Sequence, residues 1–418
     1  MSRVVFFIAF RQLWDRKLLN SIAVLGVTLG VLVLIAINGI MQGFQTKFLN
    51  NVIKISPHVT LYDKELRPAP SLIARHDLGL TVQEVSHESP SDRQLRIRRP
   101  EEIIRAIEGM DGVTGAAASL VGSAVLSYGP KQYPVDMRGI YGERQDKVTP
   151  IAEYVLEGSL RALDSAPDGI LLGSGVATRL GAHVGDQLVA GTANGQRLSL
   201  RVVGIFECEI PPIDASRVYV SLRNAQTLMG KPDVVGRIDV RLSDENVAPE
   251  MSDRLERIFG YDAESWQEQN QNFLSLFAQQ NMIIGFVVGA ILAVGGFGIL
   301  AIQIMIVLQK TRDIAILRSV GFTRSDILSA FLLQGAVIAI VGATLGDLGG
   351  HYLIGFLGQL KTKQEGLVKS DTFLVYDDPK FYFYGFGFAL LIGITASLIP
   401  ALRGSRVEPV DVLRGQIG

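Results

Sequence analysis

The sequence predicts a membrane protein of α-helical class, with four transmembrane helices and a large α+β periplasmic domain between the first and the second. Four apolar runs are each long enough to cross about 30 Å of hydrocarbon, and the chain between the first two, residues 42–281, contains no such run. The composition agrees with this. An apolar fraction of 48%, a mean hydropathy of +0.29 and a formal net charge of −1 are typical of a few spans joined to a large polar domain.

The N-terminal segment, residues 1–17, predicts an amphipathic helix on the cytoplasmic membrane surface. Basic and apolar residues share this segment, and Trp14 suits the interfacial region. Residues 18–41 follow without a charge and predict the first span. Because this run is longer than a signal-peptide core and no A-x-A cleavage pattern ends it, we expect it to be retained.

The large domain mixes strand-like runs with short helices and Gly-rich turns. Val59 to Tyr62 and Val113 to Ser127 predict strands, and Pro100 to Met110 predicts a helix with proline in its first turn. We expect two lobes with a boundary near residues 141–157, and a polar, mobile loop from Leu66 to Arg99.

The remaining segments follow from the same hydropathy pattern. The predictions are spans at 282–308, 327–357 and 381–402, a charged island at 309–326, a periplasmic loop at 358–380 and a cytoplasmic tail at 403–418. Lysine and arginine concentrate in the N-terminal segment, the island and the tail. The positive-inside rule therefore places both termini in the cytoplasm and the large domain on the opposite side, which is the periplasm if the protein lies in a bacterial inner membrane.

The charged island is itself patterned. As a helix, it would carry Ile314, Leu317 and Val320 on one apolar stripe, at spacings of three. Its other faces hold the charged residues Lys310, Arg312, Asp313 and Arg318. Gly321 is placed to end this helix in a left-handed conformation, and residues 323–326 predict a capping box that begins the next one. The pattern alone favours equally a solvated loop with positive-inside charge and a docking element.

The island, read KTRDIAILRSVG, closely resembles the coupling stretch of type VII ABC transporter permeases. That family includes the MacB-like exporters, the FtsX-like proteins and the lipoprotein-releasing (Lol) permeases. Its coupling segment sits in a groove of a cytoplasmic ATPase subunit and passes motion between the ATP sites and the membrane helices. The resemblance implies the same contacts for Lys310, Thr311, Arg312, Asp313, Ile314, Leu317, Arg318, Val320 and Gly321.

Other stretches carry the same resemblance. The segment DGILLGSGVATRLGAHVGDQLVAG, the strand Val202 to Phe206 and Asp214 are similar to the periplasmic domain of Lol and MacB-like permeases, and the tail RVEPVDVLRG is similar to the family's terminal motif at Pro409 to Arg414. The lead-in SWQEQNQNFLSLFAQQN resembles the Trp-containing lead-in of Lol permeases. Here Trp266, Phe273 and Phe277 can share one face of a stalk helix.

What the family does then sets the expectation for this chain. The resemblance implies a dimer, with a second permease copy or a homologue, driven by ATPase subunits that themselves hold ATP and Mg²⁺, so that this chain binds no cofactor. The implied activity is mechanotransmission that extracts or exports an amphiphile from membrane lipids, and lipoprotein release fits the lead-in best. A MacB-like tripartite efflux permease with a membrane-fusion adaptor and an FtsX-like regulator of a cell-wall hydrolase remain as alternatives.

One departure concerns a periplasmic chaperone. One type of Lol permease recruits this chaperone with a long hairpin, and the corresponding turn here, Thr192 to Gln196, holds only a few residues around an Asn-Gly pair. The chain therefore resembles the type without that hairpin, or another branch of the family.

Glycines four residues apart recur inside the predicted spans. The pairs are Gly26 and Gly30, Gly285 and Gly289, and Gly342 and Gly346. Such pairs let helix backbones approach closely. In the first span the pair is equally compatible with a second copy or homologous partner and with packing inside one subunit.

Several classes of function are disfavoured. The chain has no G-x-x-x-x-G-K-[ST] motif, so no P-loop hydrolyses ATP here. A single cysteine, Cys208, excludes a disulfide framework, and the five histidines show no metal-ligand spacing. The balanced charge argues against nucleic-acid binding. We therefore expect a membrane subunit rather than an enzyme.

Overall fold

The computed structural model describes residues 3–15, 17–63, 96–366 and 368–408. Most of the predicted polar loop and the tail motif at Pro409 to Arg414 lie outside these residues. The described chain forms two compact units. A helical unit is drawn from Met1–Lys47, Ser275–Gln364 and Ser370–Gly418, and an α/β unit is drawn from Phe48–Leu274 and Glu365–Lys369.

The described helices are, in chain order, α1 (Arg3–Asp15), α2 (Lys17–Ile55), α3 (Pro100–Glu108), α4 (Gly142–Val148), α5 (Arg161–Ser165), α6 (Ser174–Leu180), α7 (Pro211–Asp214), α8 (Leu222–Leu228), α9 (Ala248–Phe259), α10 (Trp266–Gln269), α11 (Gln271–Gln309), α12 (Thr311–Ser319), α13 (Arg324–Gln359) and α14 (Pro379–Ser405), with 3₁₀ turns at Ile151–Tyr154 and Glu245–Val247. The strands are β1 (Val59–Tyr62), β2 (Val113–Tyr128), β3 (Lys131–Ile140), β4 (Val155–Gly158), β5 (Gly169–Gly173), β6 (Gln187–Gly191), β7 (Arg197–Phe206), β8 (Arg217–Ser221), β9 (Arg237–Leu242), β10 (Asp262–Ser265), β11 (Lys361–Glu365) and β12 (Lys369–Thr372).

Four helices are long and apolar enough to cross a membrane. They are α2, α11, α13 and α14, of 39, 39, 36 and 27 residues. The predicted fold class is confirmed, because these are four candidate spans and the α/β domain lies between the first two. Helices α2 and α11 also extend past the predicted spans 18–41 and 282–308, since polar residues replace apolar ones there without a proline to end the helix.

The α/β unit is built on one ten-stranded mixed sheet. Its strand order is β10-β1-β9-β2-β3-β8-β5-β7-β4, and β6 pairs with both β2 and β7. The strands predicted at Val59 to Tyr62 and Val113 to Ser127 are observed as β1 and β2, and the helix predicted from Pro100 is observed as α3. The large apolar core of the unit lies on one face of this sheet and includes Leu61, Leu126 and Leu172.

Residues 141–157, the predicted boundary between two lobes, lie between strands that belong to one sheet. They fold as α4, a 3₁₀ turn and most of β4, and the sheet runs on through strands from both sides of this segment. Strand β3 pairs in parallel with β8, and β2 pairs with β6. Helix α4 packs on the sheet, where the buried Gln145 Nε2 donates to Asp239 Oδ2 at 3.3 Å. Backbone pairing between distant strands, which local composition does not encode, therefore joins the strands on both sides of this segment, and the division into two lobes stays a prediction.

Two short hairpins bear on the sequence predictions. Strands β6 and β7 are joined by residues 192–196 in a tight turn, in which Gly195 has a φ of 79° and Thr192 N donates to Gln196 O at 3.1 Å. The predicted short hairpin is thus confirmed. The segment predicted as a loop, residues 358–380, contains the hairpin of β11 and β12.

Candidate functional site

The charged island forms a short helix, α12, between two candidate spans. Thr311 begins this helix, and its Oγ1 donates to Val307 O at 2.9 Å. Lys310 Nζ lies 3.1 Å from Asp313 Oδ2 on the exposed side. The helix is too short and too charged to be a span, so it presents a surface outside the hydrocarbon.

The predicted apolar stripe of α12 does not lie on one face. Ile314 is buried in the core of the helical unit, with 1% of its surface exposed, and Leu317 packs partly against that core. Val320 is 76% exposed. At 3.6 residues per turn, each step of three residues falls about 60° short of a full turn. The stripe therefore winds around the helix, from the inside at Ile314 to the outside at Val320.

The outward face of α12 is centred on a residue that the sequence analysis did not select. Ile316 is 47% exposed and lies one turn from both Arg312 and Val320, which are also exposed. Exposed apolar side chains flanked by charges, outside the hydrocarbon, are typical of a protein-binding patch. We name Arg312, Ile316 and Val320 the outward patch. A period of 3.6 applied from Arg312 would have found Ile316.

Arg318 has a structural position rather than a surface one. Its Nη1 donates to Val407 O at 2.6 Å and to Ser405 O at 3.4 Å, at the end of α14. A guanidinium has five donors and suits the free carbonyl groups at a helix terminus. Arg318 therefore fastens α12 to the end of α14.

The turn after α12 is fixed by local rules, and both predictions about it are confirmed. Gly321 has a φ of 109°, and Phe322 N donates to Leu317 O at 3.2 Å. Thr323 and Asp326 form a reciprocal capping box, in which Thr323 N and Oγ1 both donate to Asp326 Oδ2, at 3.0 and 2.7 Å. Helix α12 therefore ends in a glycine turn, and a capped N-terminus begins α13 directly after it.

The proposed stalk is interrupted. Trp266 begins the four-residue helix α10 and is buried, with its Nε1 donating to Glu245 O at 2.9 Å, while α11 begins only at Gln271. Asn270 breaks the helix between them. Trp266 therefore does not share a helix face with Phe273 and Phe277, because a separate cap at Ser265 begins its own helix.

Phe273 and Phe277 each pack on α2. Within the α/β unit the ring of Phe273 lies 5.1 Å from that of Phe48. Within the helical unit the ring of Phe277 lies 6.2 Å from that of Phe44 in an edge-to-face arrangement. The two long helices α2 and α11 thus pack on each other through aromatic pairs beyond the predicted spans.

The glycine pairs of α2 and α13 pack inside this subunit. A Cβ at Gly26 would lie 3.7 Å from Gly295 Cα of α11, and one at Gly30 would lie 2.7 Å from Leu292 Cδ2. On α13, a Cβ at Gly342 would lie 2.7 Å from Val27 Cβ. Of the two packing partners that the sequence left open for Gly26 and Gly30, the structure provides helices of the same chain.

Gly285 and Gly289 differ from these. A Cβ at either position would meet no described atom within 4 Å. The close approach of α11 to α2 is made instead by Gly295, which the spacing search missed because its neighbours four residues away are larger. The predicted packing role of Gly285 and Gly289 stays a prediction.

A buried polar contact inside the helical unit also escaped the sequence analysis. Gln303 Nε2 donates to Ser397 Oγ at 3.0 Å, and Ser397 Oγ donates to Gly393 O at 2.6 Å. Both side chains are buried. In a membrane such a contact joins α11 to α14, since polar side chains between spans find their partners on neighbouring helices.

Cys208, the one cysteine of the sequence, lies in the described part of the α/β unit. Cys208 is buried, and its Sγ donates to Asp214 Oδ1 at 2.9 Å. Burial and the Asp214 carboxylate raise the pKa of the Cys208 thiol, which disfavours the thiolate needed for a nucleophile. Within the described ranges, no three metal-ligating side chains lie together.

Two family models match the chain. Residues 21–258 match the MacB-like periplasmic core domain, and residues 285–409 match the FtsX-like permease C-terminal domain. The island and α13 lie within the second match, which also covers α11 from residue 285 onward.

Three relatives align along most of the chain. The lipoprotein-releasing system transmembrane protein LolC of Xylella fastidiosa (strain 9a5c) is 27% identical, over 95% of this chain and 94% of that protein. The protein LolE of the lipoprotein-releasing system of Haemophilus influenzae is 24% identical, over 98% of each chain. The macrolide export ATP-binding/permease protein MacB of Agrobacterium fabrum is 24% identical, over 96% of this chain and 59% of that protein.

Proposed function

Since the chain belongs to the type VII ABC transporter permeases, with MacB-like and FtsX-like domains, we propose that it is the membrane subunit of a transporter that releases lipoproteins from the inner membrane. The observation that carries this proposal is the alignment with lipoprotein-releasing relatives over at least 95% of the chain. The chain and these relatives therefore share both family domains, in the same order and at similar spacing. ATP hydrolysis would belong to a separate ATPase chain.

The outward patch on α12 is the proposed docking site for that ATPase. Ile316 and Val320 are 47% and 76% exposed, and Arg312 adds a cation beside them. An apolar pair inserted into a groove of a partner, with a charge at its rim, has the form of an interface hot spot. The inward residues, Ile314 and Leu317, would support the patch from behind.

Movement of the ATPase would reach the spans through rigid connections. Helix α12 is joined to α13 by the short turn 320–323, in which Phe322 N donates to Leu317 O, and to the end of α14 by Arg318. A displacement of α12 would therefore move the ends of two spans together rather than bend a loop. Helix α11, which leads into α12, continues to Gln271 and would carry the motion toward the α/β domain.

The remaining parts of the assembly follow from the same proposal. Both termini and α12 would lie in the cytoplasm, and the α/β domain would lie in the periplasm. A second copy of this chain or a homologue would complete the transporter. A periplasmic chaperone would receive the lipoprotein.

The test is co-purification from the native membrane with mass spectrometry of the retained proteins. The double variant Ile316→Glu, Val320→Glu is expected to remain inserted in the membrane. Its affinity for the ATPase should fall about thirtyfold, the effect of losing a hot spot of about 2 kcal/mol. The matched control is Leu156→Glu, which changes an apolar side chain that is 62% exposed in the α/β unit. It should retain the ATPase fully.

Each outcome separates the alternatives. A retained lipoprotein together with the ATPase supports lipoprotein release. A membrane-fusion adaptor in its place indicates tripartite efflux, and a cell-wall hydrolase indicates an FtsX-like regulator. Retention of the ATPase by the double variant contradicts the docking site.

A further inference from the structure

The helical unit contains an apolar groove that the proposed transport cycle does not use. It has a volume of about 670 Å³ and lies between α1, α2 and α13. Its walls are apolar and include Leu13, Leu25, Val337 and Val341. This volume is that of a pocket for a ligand of moderate size, since such pockets hold about 300–1,000 Å³.

One end of the groove is cationic. Lys17 lines the groove at the corner where α1 meets α2, and its Nζ lies 4.3 Å from the centroid of the Trp14 ring, which also lines it. Arg11 is exposed on α1, the helix that also carries Trp14. A lysine and a tryptophan at the end of a span belong to the headgroup region of a bilayer. The cation therefore stands where the apolar groove opens to the headgroups.

The corner itself is fixed by a buried amide. Asn20 is 7% exposed, and its Nδ2 donates to Leu13 O at 2.8 Å, which ties α1 to the first turn of α2. Its Oδ1 is buried without a hydrogen-bond partner in the part of the chain that the structure describes. Asn20 also lines the groove. A buried acceptor without a donor is costly, and a polar group of a bound ligand would satisfy it.

We propose that this groove binds one anionic phospholipid, with an acyl chain against Leu25, Val337 and Val341 and the phosphate near Lys17. The argument is one of complementarity. An apolar channel that ends in a cation at headgroup depth matches a molecule that is apolar along its length and anionic at one end. A second copy of the chain is a poorer occupant. If it packed through the same corner, it would place its own basic residues against Lys17 instead of an apolar or acidic surface. The site is separate from α12, and the proposal does not depend on the transported substrate.

The lipid would have a structural consequence. Helix α1 meets the rest of the helical unit through α13 and the Asn20 corner. A lipid that fills the groove would complete the contact between α1 and α13. The occupied groove would therefore hold the N-terminal helix on the membrane surface.

The chain offers a direct spectroscopic test, because it has two tryptophans and one lines the groove. With Trp266→Phe, the fluorescence of Trp14 reports on the groove alone. The protein is reconstituted in phosphatidylcholine vesicles, and phosphatidylglycerol brominated on the acyl chain is added. We expect saturable quenching at a low mole fraction. Brominated phosphatidylcholine should quench about fivefold less at the same fraction, the effect of one lysine near a membrane surface.

Two variants and a matched control for each test the assignment. Lys17→Gln should abolish the preference for phosphatidylglycerol. Arg11→Gln is the matched control, because it removes one charge from the neighbouring helix α1 without changing the lining, and it should keep the preference. Ser21→Phe fills the groove and should remove the saturable component, while the same change at Leu29, an exposed position on α2 outside the groove, should not.

A second measurement avoids the tryptophan substitution. Native mass spectrometry of the otherwise unchanged chain should find one retained phosphatidylglycerol, which Ser21→Phe removes. Quenching that rises in proportion to either brominated lipid, with no difference between them, would mean ordinary contact with bulk lipid and would overturn the proposal. It would also be overturned if Ser21→Phe converted dimers into monomers without changing lipid retention, because a second copy would then fill the groove. Co-purification of the ATPase by the same variants shows separately whether the proposed function stands.

Discussion

Lys369 Nζ lies 2.9 Å from Glu207 Oε1, and the backbone N–H of Lys369 donates to Glu209 O at 2.9 Å. Glu207 Oε1 also accepts a hydrogen bond from Ser174 Oγ at 3.1 Å. These contacts hold the turn between β11 and β12 on the α/β unit, to which residues 365–369 belong. A side chain and the backbone of Lys369 thus fix this turn within the α/β unit.

The first prediction is that Lys369→Met loosens this hairpin. The two side chains are 44% and 23% exposed, so the ion pair contributes at most about 1 kcal/mol. Amide hydrogen exchange in β11 and β12, measured by mass spectrometry on the full chain, should therefore quicken by up to about fivefold. Lys361→Met, on the exposed first residue of the same hairpin, is the control. Equal exchange in both variants would show that the backbone contact alone holds the turn.

The second prediction concerns the packing of α2 on α13. A Cβ at Gly342 would lie 2.7 Å from Val27 Cβ, and one at Gly346 would lie 2.7 Å from Val31 Cβ. Gly342→Val is therefore expected to destabilise the helical unit by about 1–3 kcal/mol, the usual cost of overpacking. Thermal unfolding in detergent measures this.

Gly355→Val is the matched control for that experiment. Gly355 lies on the same helix, and an added Cβ there would meet no described atom within 4 Å. The control should unfold at the wild-type temperature, apart from the small change in helix propensity between glycine and valine. If both variants unfold at the same temperature, the close approach of α2 and α13 does not determine the stability of the helical unit.

Much of the helical architecture could be predicted because it follows from one-dimensional rules. The thickness of the hydrocarbon fixes the length of a span, and the capping box at Thr323 and Asp326 requires only residues three apart. The orientation of α12 could not be predicted in this way. Which side faces the core depends on α13 and α14, and a stripe of residues three apart winds from buried Ile314 to exposed Val320.

The departures in the rest of the site have similar causes. The charge of Arg318 predicts a surface position, but its guanidinium donates to the free carbonyl groups at the end of α14 instead. The apolar spacing of Trp266, Phe273 and Phe277 ignored the cap at Ser265 and the break at Asn270. Spacing shows that a glycine permits close approach, and it does not show which helix approaches. That Gly295 is the neighbour of Gly26 is therefore seen only in the structure.

The third prediction is that Gly285 and Gly289 contact a second copy. Because an added Cβ at either position meets nothing in the described chain, Gly289→Leu should leave the stability of the monomer unchanged. If α11 packs on a second subunit, the same change should reduce the dimer fraction measured by cross-linking in vesicles. Gly298→Leu is the control, because it also meets no described atom and lies nine residues on, about half a turn around the helix. Equal dimer fractions in both variants would show that Gly289 does not lie in the dimer interface.

The fourth prediction separates support from docking on α12. Ile314 is 1% exposed and Val320 is 76% exposed. Ile314→Ala should therefore lower the free energy of unfolding by about 2–5 kcal/mol through a cavity in the core, while Val320→Ala should change it by less than about 0.5 kcal/mol. In a pull-down, Val320→Ala should nevertheless lose the ATPase. A fully stable Ile314→Ala variant would contradict the inward position of that side chain.

The fifth prediction is a loss of stability in acid that originates at His58. The side chain is 2% exposed, its Nδ1 accepts the Leu242 N–H at 3.2 Å, and its Nε2 has no partner among the described residues. Burial, followed by the charge of Arg241, lowers the pKa of His58 from 6.5 to about 4. Between these two values the unfolded chain binds a proton that the folded chain does not, so the stability of the α/β unit falls as the pH drops from 6.5 toward 4.

The size of this effect at pH 4.5 is on the order of 2 kcal/mol. Urea unfolding of a Trp14→Phe chain, followed by the fluorescence of Trp266, measures it close to the source, because Trp266 N donates to His58 O at 2.9 Å. His58→Asn keeps an acceptor and cannot titrate, so it should flatten the dependence between pH 4.5 and 6.5. His183→Asn, at an exposed histidine of the same unit, should leave the dependence intact. If the His58→Asn variant loses stability in acid as steeply as the His183→Asn variant, the titrating group lies elsewhere, since His58 is then neutral or charged alike in both states.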